Sequence, residues 1–162
     1  MNEQNEKIKH CVLIITKEGV IDTGTNFYFF TKDKNIKNDY FVGCGMIVDE
    51  PEFGYQIHIA KTSCGWLPLF QANDECRSVR MMKKIYDLGG VQIFDEYGEE
   101  YTWEQFDERV LQFNGGKKGV KERRLIDGEY EPISHLEYEH GKYRSYYFVD
   151  SDGYEFSKEW FC

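Results

Sequence analysis

Apolar positions along this chain change their period near residue 70. From Cys11 to Phe70 they fall in runs of strand length, rich in β-branched and aromatic residues and separated by Gly, Asp and Asn clusters. This pattern predicts strands at Cys11–Thr16, Thr25–Thr31, Tyr40–Val48, Tyr55–Lys61 and Trp66–Gln71. Lys32 to Asn38 reads as a polar break, and Asp49-Glu50-Pro51 with Gly54 reads as the loop between two antiparallel neighbours.

Beyond that point the period becomes helical. Val79, Met82, Ile85 and Tyr86 predict a helix from Asp74 to Leu88, capped by Asn73 or Asp74 and stopped by Gly89-Gly90. Val91 to Phe94 is a short strand, and Glu96-Tyr97-Gly98 a turn into a second helix. That helix opens on the capping box Thr102-x-x-Gln105, carries the stripe Trp103, Phe106, Val110 and Phe113, and ends at Asn114-Gly115-Gly116. Gly115 to Arg124 is expected to be an exposed loop. Tyr143 to Val149, the turn Asp150-Ser151-Asp152-Gly153 and Tyr154 to Phe156 form a hairpin. The expected fold class is α+β, with an N-terminal antiparallel β-rich half, two central helices and a C-terminal β-hairpin. A single domain covers residues 1–162, with residues 1–9 expected as a polar, disordered tail.

Composition narrows the function classes. Aromatics make up 17% of 162 residues, enough large rings to build a core without disulfides or a metal. No apolar run approaches the roughly 20 residues that cross a bilayer, and the charged Met1–Lys9 segment lacks a signal region, so neither a membrane nor secretion is expected. The five cysteines, Cys11, Cys44, Cys64, Cys76 and Cys162, are odd in number and irregularly spaced, which fits free thiols in a reducing cytoplasm. The net charge of −9 disfavours direct binding to nucleic acid and favours a basic partner.

Four groups of residues carry candidate chemistry. His58, Lys61, Thr62 and Ser63 end a strand in a hydroxyl-rich turn able to offer an ammonium, hydroxyls and backbone N–H groups to an anion. The plainer reading is a hairpin whose hydroxyls satisfy their own backbone. Cys44, His58 and Cys64 are the best donor set for zinc, without the Cys-x-x-Cys pair that makes such sites specific. Asp22-Thr23-Gly24 has the form of an aspartic-protease tripeptide, but a hairpin turn explains it equally well. Lastly, Asp95, Glu96, Glu99, Glu100, Glu104, Asp107 and Glu108 surround the second helix, with Tyr97, Tyr101 and Trp103 among them. Capping and the helix dipole account for some of these acids; together they imitate a phosphate track for a basic groove. Lys117, Lys118, Lys121, Arg123 and Arg124 form an opposed basic stretch, and His135 and His140 match no acid–base or metal spacing.

Three blocks carry a resemblance: His58-Ile59-Ala60-Lys61-Thr62-Ser63-x-Gly65-Trp66, Ile93-Phe94-Asp95-Glu96-Tyr97-Gly98, and Asp152-Gly153-Tyr154-Glu155-Phe156-Ser157. In this order they resemble a family of small bacteriophage proteins of unassigned function. Sequences of that family carry a Cys-x-x-Cys-Gly element before the first block, resembling half a zinc site. Here Cys44-Gly45 keeps the second cysteine, Phe41 stands at the first, and Ala60 replaces the block's usual Gly. The resemblance implies a bacterial host cytoplasm. The leading expectation is therefore a non-enzymatic anti-defence protein of the anti-CRISPR kind, binding a basic surface of a host RNA-guided nuclease through Asp95–Glu108. The alternatives are a nucleotide sponge using His58, Lys61, Thr62 and Ser63, and a small hydrolase using His58 or Asp22.

Overall fold

The computed structural model describes residues 14–16, 19–21, 24–63, 66–117, 123–126, 129–132 and 147–161. Its centre is an eight-stranded mixed sheet packed against helices, an α+β fold. Two further antiparallel pairs stand outside that sheet: β1 (Ile14–Thr16) with β2 (Gly19–Ile21), and β9 (Arg123–Ile126) with β10 (Glu129–Pro132).

The sheet is built around β3 (Thr25–Thr31) and β5 (Gly54–Thr62), which pair antiparallel along their full length. The other edge of β5 is shared: β4 (Met46–Glu50) takes its start and β6 (Leu69–Gln71) its end. β3 also pairs with β7 (Val91–Asp95), which turns back into β8 (Glu100–Tyr101). At the far edge β11 (Tyr147–Val149) and β12 (Glu155–Ser157) form a hairpin, and β12 lies parallel to β6.

Strand alternation assigns the two faces. Phe27, Phe29, Ile57 and Ile93 point into a core that includes Phe70, Met82, Phe106 and Phe156, all 1% exposed or less. Phe27 meets Tyr101 and Phe106 edge to face, which adds specific geometry to the burial. Tyr28 and Phe30 point the other way, against His58 and Phe94.

Helices supply the cover, and here several sequence expectations change. Lys34–Tyr40 is a helix, α1, not a polar break followed by a strand. Asp33 caps it by accepting from the Asn35 N–H at 2.8 Å, and Ile36 and Phe41 anchor it in the core. Seven residues with one buried apolar position are too few for periodicity to register, so tertiary packing decides. The strand expected from Tyr40 begins only at Met46, after a turn in which Gly43 and Gly45 take φ of 84° and 95°. The Trp66 strand likewise shortens to Leu69–Gln71.

The helix α2 spans Val79–Asp87 with Ser78 as its cap, later than expected. Asn73 instead accepts from Glu75 N–H in a local turn, and Cys76 is buried before the helix begins. Asp150 supports the start of α2: one carboxylate oxygen accepts from Val79 N–H at 2.9 Å, and the other closes the β11–β12 turn by accepting from Asp152 and Tyr154 N–H.

The capping box at Thr102 and Gln105 is present and opens α3 (Trp103–Phe106). The chain then widens into a π turn over Asp107–Leu111, where Gln112 N–H reaches back five residues to Asp107 at 3.0 Å. One extra residue per turn rotates the stripe. Val110 and Leu111 both enter the core, and Phe113, expected there, is left half-buried. Gly116 closes the segment at φ 77°, where an added Cβ would stand 2.2 Å from the Leu111 carbonyl oxygen. The basic stretch beyond it is not all loop, since Arg123 and Arg124 lie in β9. No helix among the described residues is long and apolar enough to cross a membrane.

Candidate functional site

The acidic segment is presented by the β7–β8 turn and by α3 with its π turn. Asp95 organises the turn from inside: it is 5% exposed, and its carboxylate accepts from Tyr97 N–H and Glu99 N–H at 2.9 Å and from the Tyr101 hydroxyl at 3.0 Å. Burial, followed by the hydrogen bond to Asp95, pushes the Tyr101 phenol well up, so it remains a donor. Glu96 faces back onto β3, accepting from the Asn26 N–H at 3.1 Å and side-chain amide at 3.2 Å. These two acids are scaffold. Tyr101 and Trp103, expected among the contact residues, are buried at 6% and 7% exposure.

What remains outside is a narrower set. Glu99, Glu100, Glu104 and Glu108 are exposed and Asp107 is half-exposed, with Arg109 standing among them. Glu100 accepts from Gln92 at 2.9 Å and Asp107 from Gln112 at 3.4 Å. None of the three ion pairs among the described residues involves these acids; the pairs are Lys37–Asp49, Arg80–Asp152 and Lys83–Asp87. Among the described residues, these acids therefore present their charge without an ion-pair partner.

Two exposed aromatics lie on segments adjoining the acidic one. Tyr97, 67% exposed, tops the β7–β8 turn. Trp66, 59% exposed, adjoins the far end of the π turn, where the Asn114 side-chain amide donates to its carbonyl at 2.8 Å. Trp66 was not legible as part of this surface. Asn114, at φ 50°, supplies the link, and only the fold brings it across 48 residues of sequence.

The other sequence candidates are placed differently. His58 is 2% exposed, enclosed by Tyr28 on β3 and by the rings of Trp160 and Phe161. Its Nε2 donates to the Ala60 carbonyl at 3.0 Å, and burial, with a smaller contribution from Lys61, holds its pKa down at about 4. Thr62 is also buried, while Lys61 and Ser63 are half-buried. Cys44 is half-buried and accepts a contact from the Gln71 amide at 3.4 Å; burial first, then Glu159, pushes its thiol up. Among the described residues no three His, Cys, Asp or Glu side chains gather to hold a metal ion. Cys64, Asp22, Thr23, Lys118, Lys121, His135 and His140 lie outside the described residues.

Fold and surface together define an α+β protein presenting an acidic hairpin and helix with exposed aromatics on adjoining segments. No protein-family model, no curated protein and no solved structure matches the chain significantly.

Proposed function

We propose that this chain acts by stoichiometric binding, laying its acidic hairpin–helix surface into a basic groove that another protein uses for nucleic acid. The observation that carries the reading is the set of exposed carboxylates, Glu99, Glu100, Glu104 and Glu108, unpaired by any described cation, the first two at the β7–β8 turn pinned by Asp95 and the other two on α3 and its π turn. A pinned surface loses little conformational entropy on binding, and carboxylates at strand and helix spacing mimic a row of phosphates. Tyr97 and Trp66 add what phosphates lack, flat rings able to stack on guanidinium groups or take the place of a base.

The resemblance to bacteriophage proteins directs the proposal to a bacterial host, and there to the RNA-guided nucleases, whose guide and DNA channels are strongly basic. The test is a DNA-cleavage assay on a panel of purified RNA-guided nucleases, with the wild-type chain and with a Glu100→Lys, Glu104→Lys, Glu108→Lys variant. The proposal expects inhibition of at least one nuclease at near-equimolar protein, weakened by salt and abolished in the variant. Inhibition that survives the triple reversal, or none across the panel, contradicts it.

A further inference from the structure

The segment after β12 crosses the sheet over His58; besides the Ser157 hydroxyl, which donates to the Glu159 carbonyl at 2.7 Å, and the Lys158 ammonium over the Phe148 ring, two contacts hold it. The first is Gln71, 1% exposed, whose side-chain amide donates to the carbonyls of Ser157 at 3.1 Å and Glu159 at 3.2 Å. The second is His58, whose ring lies 4.9 Å from that of Phe161 and 5.6 Å from that of Trp160. Lys158–Phe161 is thus a strap lying over a buried imidazole.

That imidazole is poorly prepared for a charge. Its Nε2 is committed to the Ala60 carbonyl, and its Nδ1 has no hydrogen-bond partner among the described residues. A proton on Nδ1 would create a buried cation, among aromatic rings, with no acceptor for its new N–H among the described residues. Among the described residues, the titratable and charged groups on the surrounding elements offer no relief. They are Tyr28 on β3, Lys61 on β5 itself, Cys44 in the turn before β4, and Lys158 and Glu159 in the strap. Lys61 opposes protonation, and the exposed Glu159 acts on Cys44 rather than on His58.

We propose that the strap stays closed over His58 only while the imidazole is neutral, so that mild acid releases Lys158–Phe161 from an otherwise intact sheet. With the strap open, His58 regains water and its ordinary affinity for protons. The open form then binds the proton that the closed form rejects. The sign follows from that difference: a depressed histidine pKa favours closure at neutral pH, and closure weakens as pH falls from about 6.5, the ordinary histidine value, toward about 4. Across that window the opening equilibrium should rise about tenfold per pH unit.

The experiment is cleavage of the full chain after Glu159 by a glutamate-specific protease active in both mild acid and neutral buffer. Cleavage is detected by intact mass and normalised to an unstructured peptide of the same sequence, with far-UV circular dichroism recorded in parallel. When cleavage is slow, its rate follows the open population. The expected result is a rise of about tenfold per pH unit below pH 6.5 with the dichroism unchanged, and a flat profile in His58→Phe. A flat wild-type profile, or a rise that tracks global loss of structure, overturns the proposal. Should His58→Phe fail to fold, the wild-type ring titration by NMR decides: a midpoint below 5 supports the strap, and one at the ordinary histidine value overturns it.

Discussion

Replacing Asp95 with alanine removes one side chain and leaves three donors without their acceptor: the N–H groups of Tyr97 and Glu99 and the hydroxyl of Tyr101. Each hydrogen bond to a charged group is worth roughly 1.5–3 kcal/mol. The two amides lie at an exposed turn where water can replace the carboxylate in part. The Tyr101 hydroxyl, on a residue 6% exposed, is less easily hydrated. The net cost is therefore about 3 kcal/mol rather than the full sum. For a chain of 162 residues that corresponds to a fall in Tm of about 6–12 °C. Asp95→Asn keeps an acceptor for the two amides and should cost about half as much. Thermal unfolding followed by circular dichroism measures both. A fall below about 2 °C for the alanine variant would refute the pinned-turn reasoning. The same pair separates scaffold from contact: Asp95→Asn should bind a partner as wild type does, because a 5% exposed carboxylate has nothing to offer a neighbouring molecule.

Further outcomes follow from other parts of the fold. Gly116→Ala places a Cβ against the Leu111 carbonyl at a left-handed φ and should cost about 2 kcal/mol or more in chemical denaturation, whereas Gly98→Ala, with open space around it, should cost about 1. Lys substitutions at Glu100, Glu104 and Glu108 should change stability by less than about 0.5 kcal/mol each, as exposed positions do, so any loss of binding they cause is not loss of fold. Cys76, buried at 2% exposure with its thiol pushed up to about 12, should resist iodoacetamide at pH 8 in the native state and react on denaturation; peptide mapping distinguishes it from Cys44.

Much of the fold was legible because its signals are local. The Thr102 capping box, the Gly89-Gly90 stop and the Thr25–Thr31 strand run each depend on neighbours within a few residues, and each appears where expected. What escaped depends on distant partners. The parallel pairing of β12 with β6 joins residues 86 apart, as Glu155 with Leu69, and leaves no mark on either strand's pattern. The π turn is hidden for a related reason. Phe113 completes an ideal helical stripe, and only the packing of both Val110 and Leu111 shows that the phase has shifted. At the candidate site the excess of carboxylates was visible in sequence, but their division was not. Asp95 and Glu96 face inward, Glu99 to Glu108 outward, and a buried acid cannot be told from an exposed one by spelling alone.

The most direct test of the acidic surface is affinity capture from bacterial lysate with wild type and the Glu100→Lys, Glu104→Lys, Glu108→Lys variant side by side, at low and high salt, with captured proteins identified by mass spectrometry. A nucleic-acid-binding protein retained by wild type at low salt, and lost both at high salt and from the variant, is the predicted result. The same proteins recovered by both chains at both salt concentrations would contradict the account.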